Sequence, residues 1–346
     1  MQARMPRKAT ERKSQMKDFV IFDMEWNMGY QPKIFQYQGI DQTLRGEIIQ
    51  IGAVKLENGR VADRFSINLK PHIFPKLHHH VAKVTGLTQA DLDVGIPIQE
   101  GLRRFMEWCG PDAVLGEWGL DDVPVLKQNM VLNGLSEEWP QQWYDIQRIF
   151  TSQKPRKEGE GMTLEAVVER LGIPKNEAFH DALSDAEYTA AICGFLNLEQ
   201  GLQEYPSEEQ QLHDLLCPAE KDRRDFTIWR GIVDGEVWTT SQELRQAVCP
   251  ECGQPLQLDS EDIWLRKGNN CLYSMGQCSS HGPVMIWLRR MRLDGLRYTF
   301  ARVTEPADQT LQAKWKKEKQ AAIERARRKK EHEAAEALER VRNAGR

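Results

Sequence analysis

One strand-like stretch, FVIFDMEWN at Phe19–Asn27, sets the strongest condition on the fold, because its apolar start is followed by two acids. Successive side chains of a strand alternate between its two faces, so Asp23 and Glu25 are predicted to project to the same side. Neighbouring carboxylates repel each other and are costly to bury unless a cation, a proton or hydrogen-bond donors compensate them. The rest of the chain must therefore bring compensating groups to this strand.

Composition limits the class of protein. The chain has 346 residues, of which 40% are hydrophobic, enough for one sizeable core and a second, smaller domain. No apolar run approaches the roughly 20 residues that cross a bilayer, and the basic N-terminus lacks the apolar centre of a signal peptide. We therefore predict a cytoplasmic protein without a membrane partner and with a disordered leader over residues 1–16. The net charge of −4 does not by itself indicate nucleic-acid binding, so such a function must rest on local sites.

The first 200 residues alternate strand-like and helix-like segments, which predicts an α/β domain over residues 17–200. The strand candidates are FVIFDME, EIIQIGAVKLENG with RVADRFSINLK as a hairpin around Asn58-Gly59, AVLGEW and WYDIQ. The helix candidates carry apolar residues three and four apart and are IQEGLRRFMEWC, DDVPVLKQNMVLNG, TLEAVVERLG and DALSDAEYTAAICGFL. The polar stretch 201–225 is predicted to be a linker or peripheral helix, followed by a compact module over 226–303 and a charged helical tail over 304–346.

Further acids lie at two predicted helix starts. In WGLDD, either Asp121 or Asp122 is well placed to cap the following helix. In FHDALSDAEYTA, His180 and Asp185 are five residues apart, which on one helix would separate them by about 140°. They converge only if His180 lies in the loop and Asp181 caps the helix. The alternative is that His180 is a loop histidine satisfied by local hydrogen bonds.

These motifs resemble, in order and spacing, those of the DEDDh 3′-to-5′ exonucleases, the superfamily of RNase T, oligoribonuclease and the proofreading subunits. The segments DMEWN, EIIQIGAVKL, VTGLTQADL and WGLDDVPVL are similar to the branch of histone-mRNA and small-RNA trimming exonucleases and a bacterial sporulation-pathway inhibitor. The resemblance covers about residues 17–196. It implies a ribonuclease H-like mixed sheet flanked by helices, and it matches Asp122 rather than Asp121 as the third acid.

The resemblance also implies the chemistry. In such enzymes two Mg²⁺ or Mn²⁺ ions roughly 3.5–4 Å apart promote an in-line displacement at a phosphodiester, and carboxylates hold them. Asp23 would bridge both ions, Glu25 and Asp185 would hold the ion that activates water, and Asp122 would complete the site. His180 would be the general base, since histidine can accept a proton near neutral pH. The ions would thus compensate the acids of the first strand.

The implied function is release of nucleoside 5′-monophosphates from the 3′ ends of single-stranded nucleic acid, with RNA somewhat preferred over DNA. Two alternatives stay open: a single-stranded DNA exonuclease of repair or proofreading, and a non-catalytic adaptor that binds nucleic acid. Trp26 and Trp118 flank the acids and are either stacking platforms for terminal bases, at about 1–3 kcal/mol per base, or core residues. The histidines of LHHHVAK, residues 78–80, are predicted to lie in a solvated loop without binding metal.

A second set of metal ligands follows in the C-terminal module. Cys249 and Cys252 in CPECG, and Cys278 and His281 in CSSHG, have the spacing of the paired knuckles of a zinc ribbon. They predict one structural Zn²⁺ that stabilises a domain with a small core. Cys271 is an alternative fourth ligand, although its apolar surroundings favour a buried thiol.

The tail combines charges of both signs and is predicted to be a solvated helix. Its run Arg327–Lys330 is a basic cluster that offers salt-dependent contact to phosphates. The zinc module and this tail are candidate contacts for a further protein or nucleic-acid partner.

Overall fold

The structure is a computed structural model. It describes residues 19–57, 59–155, 160–208, 210–211, 225–258, 263–292 and 294–344. The predicted leader and Asn58 of the predicted hairpin lie outside these ranges. The chain divides into two compact units, Met1–Tyr205 and Pro206–Arg346.

The first unit is built on a mixed sheet. Its strands are β1 Phe19–Asn27, β2 Ile34–Tyr37, β3 Ile40–Thr43, β4 Glu47–Glu57, β5 Arg60–Lys70, β6 Ile96–Pro97, β7 Val114–Glu117 and β8 Gln142–Asp145. Six of them form a sheet in the order β6-β5-β4-β1-β7-β8, and β2 pairs with β3 separately. β4 is antiparallel to β1 and β5, whereas β7 is parallel to β1 and β8. The predicted mixed α/β architecture is confirmed.

Helices cover both faces of this sheet. They are α1 His79–Thr85, α2 Gln89–Val94, α3 Ile98–Cys109, α4 Asp122–Leu132, α5 Ile146–Gln153, α6 Leu164–Leu171, α7 Ala182–Cys193 and α8 Leu198–Gln203. Alternate residues of β1 enter two different cores: Phe22 packs in a cluster with residues of α3 and α4, and Ile21 in one with residues of α5 and α7. A strand buried on both faces has no apolar–polar alternation, which explains the continuous apolar run in FVIF.

Two local predictions need correction. In WYDIQ the strand ends at Asp145, and the next two residues already belong to α5. The predicted histidine loop is wrong at His79 and His80, which begin α1. His78 is the N-cap of that helix and accepts a hydrogen bond from the backbone N–H of His80.

The second unit contains an antiparallel sheet. Its elements are β9 Asp225–Ile232, a 3₁₀ turn Val237–Thr239, α9 Gln242–Arg245, β10 Gln257–Leu258, β11 Leu265–Arg266, β12 Cys271–Cys278, β13 Gly282–Met291, β14 Tyr298–Pro306 and α10 Gln309–Ala344. The strand order is β10-β12-β13-β14-β9, and β11 also pairs with β12. Gly268 lies between β11 and β12, and β14 runs three residues past the predicted end of the module at residue 303.

The tail is a single long helix whose start is not solvated. Trp315 is only 3% exposed and packs in one cluster with Tyr273 and Met285 of the sheet, which corrects the prediction of a wholly solvated helix. The basic run Arg327–Lys330 is exposed. Among the described residues, no helix has the length and apolar character required to span a membrane.

A carboxylate-rich candidate active site

The two acids of the opening motif lie in the second half of β1. Asp23 pairs in register with Gly52 of β4, and Glu25 with Gln50. Both acids are partly buried, while the intervening Met24 points into the core. The strand therefore presents Asp23 and Glu25 on one side, as the alternation of its side chains predicts.

Gly52 permits the close approach that brings the fourth acid to this strand. A Cβ atom at Gly52 would lie 2.0 Å from the backbone N of Leu183 and 2.1 Å from the carbonyl carbon of Ala182. The first turn of α7 thus rests directly on β4, opposite Asp23. Since Asp185 lies in that turn, glycine at residue 52 is a condition for the site.

The third acid is Asp122, the first residue of α4. Its Oδ1 accepts a hydrogen bond of 3.1 Å from the backbone N–H of Met24, between the two acids of β1. Asp121 occupies the N-cap position, but its side chain caps nothing and instead pairs with Arg45 at 2.8 Å. The structure thus brings Asp122, and not Asp121, to the acids of β1.

His180 lies immediately before α7 in the left-handed region, with φ of 64°. Asp181 is the N-cap of α7 and accepts a hydrogen bond from the N–H of Ser184 at 3.0 Å. The N–H of His180 donates to Oδ2 of Asp185 at 3.0 Å. The exposed imidazole thereby shares one side of the site with two acids, and the ligand atoms of Glu25, His180 and Asp185 lie within 4.8 Å of one another.

Burial raises the pKa of every acid in this set, and the charges of neighbouring carboxylates raise it further. Burial is the largest cause throughout; it raises the pKa of Glu25 to about 8, of Asp122 to about 7 and of Asp185 to about 6. The pKa of Asp23 lies well above its usual range, owing to burial and then to the charges of Asp122, Asp185 and Glu25. Near neutral pH the metal-free cluster retains protons that a divalent cation would displace.

The donor set fits hard divalent ions. All four acids offer carboxylate oxygens, which Mg²⁺ and Mn²⁺ prefer as protein ligands. Oδ1 of Asp185 is buried and has no hydrogen-bond partner among the described residues. Asp23, Glu25, Asp122 and Asp185 are therefore the residues that would hold such ions.

Two supporting residues were not singled out from the sequence. Gln50 of β4 accepts a hydrogen bond from the N–H of Ala182 at 2.9 Å and donates to Asp181 at 3.0 Å, which fastens the start of α7 to the sheet. Glu117 ends β7 and is fully buried beside Asp122. Their common signal was a polar residue within an apolar strand, EIIQIGAV in one case and AVLGEW in the other.

The two tryptophans near the acids are half-buried. Trp26 packs against the core on the α3–α4 face of the sheet. Trp118 contacts Phe150, and its indole N–H donates to the carbonyl of Met162 at 3.3 Å. Packing thus accounts for part of each ring, and base stacking on either ring stays a prediction.

The second unit brings the four predicted zinc ligands together. The ligand atoms of Cys249, Cys252, Cys278 and His281 all lie within 4.8 Å of one another, and Nδ1 of His281 is 3.7 Å from Sγ of Cys278. Backbone N–H groups, first that of Ser280, lower the pKa of Cys278 to about 6, which favours the thiolate that metals bind. Cys271 lies outside this cluster, buried in β12. Three sulfurs and one imidazole suit a closed tetrahedral zinc site.

Comparison with known proteins adds a family to this geometry. The RNase T exonuclease family model matches residues 20–193, which contain all five residues of the site. The chain belongs to this exonuclease family. The chain is 30% identical over 152 residues to the DNA polymerase III subunit epsilon of Aquifex aeolicus, a match that covers 43% of the chain and 70% of that protein.

Other relatives have different names and sizes. The chain is 28% identical over 142 residues to "Probable 3'-5' exonuclease KapD" of Bacillus subtilis, covering 40% of the chain and 68% of that protein. It is 27% identical over 204 residues to the PolC-type DNA polymerase III of Clostridium perfringens, covering 59% of the chain. That match spans only 12% of the polymerase.

Proposed function

We propose that the protein is a metal-dependent 3′-to-5′ exonuclease that releases nucleoside 5′-monophosphates from single-stranded nucleic acid. One observation carries the proposal: four acids and His180, from three separate motifs, converge at one end of β1 within the segment that matches the family. Structural caps and surface charges would not be expected to meet in this way.

The site residues divide the work between ion binding and proton transfer. Asp23, Glu25, Asp122 and Asp185 would hold the ions, which when bound would stabilise negative charge at the phosphodiester during displacement. The exposed imidazole of His180, on its left-handed loop position, accepts the proton of the attacking water. The backbone bond from His180 to Asp185 keeps base and ligand in a fixed relation.

RNA is the first candidate substrate, because the acid motifs and the segments around them are similar to those of RNA-trimming exonucleases. DNA is the second, because several relatives carry DNA polymerase III in their names. The complete set of acids argues against a third function, a non-catalytic adaptor, since an adaptor gains nothing from four mutually repelling carboxylates.

We assign residues 17–200 to the exonuclease domain and 226–303 to a module that one Zn²⁺ stabilises. A closed four-ligand site has no open position for a substrate, so this zinc would be structural. The module and the exposed cluster Arg327–Lys330 are the surfaces through which a further nucleic-acid or protein partner would be bound.

The test is degradation of 5′-labelled single-stranded RNA and DNA of one sequence, with and without added Mg²⁺ or Mn²⁺. We expect labelled products that shorten stepwise from the 3′ end, only when metal is present, and faster for RNA. Faster digestion of DNA would favour the second candidate. Tight binding without degradation in either metal would favour the adaptor.

A further inference from the structure

The side chain of Glu117 forms hydrogen bonds with the backbone at the start of α4. It is the last residue of β7 and is 0% exposed. Its Oε2 accepts hydrogen bonds from the backbone N–H of Asp122 at 2.8 Å and of Val123 at 3.4 Å. N–H groups in the first turn of a helix have no partner within the helix, and a negative charge is favourable there. Glu117 therefore supplies the cap that Asp121 does not.

A second buried acid fixes the loop between β7 and α4. Asp145 ends β8 and pairs in register with Glu117. Its Oδ1 accepts hydrogen bonds of 3.1 Å from the N–H groups of Gly119 and Arg148. Hydrogen bonds thus connect the loop to the ends of two adjacent strands. Of the two acids, Glu117 is the one bonded to Asp122 itself.

Asp122 is consequently held at two points. Its N–H donates to Glu117, and its Oδ1 accepts from the N–H of Met24. We propose that Glu117 is a positioning residue that sets the carboxylate of Asp122 at the distance from Asp23 and Glu25 that ion binding requires. This inference rests on the proposed function, because it assigns Asp122 to the ion site.

Stability alone does not account for a glutamate here. The side chain of Glu117 is fully buried, and its Oε1 has no hydrogen-bond partner among the described residues, so the carboxyl group is costly in this place. An apolar side chain of similar size would avoid that cost. Residues that orient metal ligands typically change metal affinity or activity by about 10–100-fold when they are replaced.

Two variants separate position from charge. Glu117→Asp keeps the negative charge but shortens the side chain, so that one oxygen no longer reaches both N–H groups. Glu117→Gln keeps the length and an acceptor oxygen but removes the charge. Thr163→Ala is the matched control, because it removes the side-chain cap of α6, which accepts from Ala166 N, at a stability cost of about 1 kcal/mol.

The measurement is Mn²⁺ binding to the full chain without nucleic acid, by calorimetric titration, beside activity on single-stranded RNA. We expect Glu117→Asp to weaken Mn²⁺ binding by about 10-fold or more, and Glu117→Gln and Thr163→Ala to bind it nearly as the wild type does. The reverse order for Asp and Gln, or wild-type affinity in both, would overturn the positioning role while leaving the proposed function intact. A wild type that neither binds Mn²⁺ nor degrades RNA would contradict both.

Discussion

Ionisation of the acids in the site lowers the free energy of unfolding of the metal-free protein. The pKa values of Glu25, Asp122 and Asp185 in the folded protein, about 8, 7 and 6, lie above those of the same residue types in unfolded chains. Between the unfolded and folded pKa values the native state binds more protons than the unfolded state. The free energy of unfolding of the metal-free protein therefore falls as pH rises through this window, from roughly 4 to 8.

The Asp23→Asn variant tests this electrostatic account. Removing one charge relieves its neighbours, so we expect metal-free Asp23→Asn to be more stable than the wild type at pH 8, by on the order of 1 kcal/mol for each pKa unit relieved. The difference should shrink toward pH 5, where the wild-type acids are largely protonated. Urea unfolding at both pH values measures it, and an equal difference at both would show that the acids do not interact.

His180→Ala separates the base from the ligands. Without its imidazole the four acids stay in place, so Mn²⁺ affinity should be retained while the rate of degradation drops by about 10²–10⁴-fold. Calorimetric titration and single-turnover degradation give the two quantities. Loss of Mn²⁺ binding would instead make His180 a ligand, which its proximity to Glu25 and Asp185 also permits.

At the residue scale, the sequence singled out five residues that the structure brings together, and their catalytic roles stay predictions. Asp23 and Glu25 stood out because two acids on one face of an apolar strand are unusual. The resemblance in motif order and spacing then indicated Asp122, His180 and Asp185. Glu117 was not predicted, because a polar residue in an apolar strand does not reveal which backbone N–H groups it will meet.

At the scale of elements, the contact between β4 and α7 decides whether the fourth acid reaches the first two. Gly52 makes it possible, since any side chain there would overlap the backbone of Ala182 and Leu183. Ordinary helix–sheet packing through side chains would hold α7 farther away.

Gly52→Ala is accordingly expected to displace α7 with Asp185 and His180. Overpacking of this kind costs typically about 1–3 kcal/mol, and we expect activity to fall further than stability. The matched control is Gly194→Ala at the end of α7, where φ is −62° and the closest contact of an added Cβ is 3.1 Å. Urea unfolding and degradation rates are compared for both, and full activity in Gly52→Ala would refute the close-approach argument.

In the second unit, the predicted zinc site is the contact on which the fold of the module depends. If Cys249, Cys252, Cys278 and His281 hold one Zn²⁺, purified protein should contain about one equivalent that survives dialysis. Cys252→Ser should lose the metal and the fold of the module, yet still degrade a short oligonucleotide in Mg²⁺.

Cys271→Ser should retain zinc, as metal analysis will show; zinc loss there but not in His281→Ala would identify Cys271 as the fourth ligand.

Periodicity predicted the long elements and missed the short ones. α3, α6 and α7 follow apolar spacings of three and four, whereas α1 and α2 have six or seven residues, too few for a pattern to emerge. The start of α10 was misjudged because one buried tryptophan, Trp315, anchors it, and a single apolar residue gives no periodicity.

At the scale of the whole molecule, the order of the strands in the sheet could not be predicted from sequence pattern. β1 lies between β4 and β7, which are 19 residues or more from it along the chain. Local pattern carries no information on such long-range pairing. Family resemblance supplied the expected architecture for the first unit, while for the second unit the sequence predicted only a compact module, its metal ligands and a helical tail.

Product analysis tests the central claim most directly. Single-stranded RNA and DNA carrying a radiolabel in the 3′-terminal phosphodiester are incubated with the wild type and with Asp122→Asn in Mg²⁺. The account predicts that the wild type first releases the label as a nucleoside 5′-monophosphate, and that Asp122→Asn releases none. Label released as a 3′-monophosphate, first cleavage at the 5′ end, or undiminished release by Asp122→Asn would contradict it.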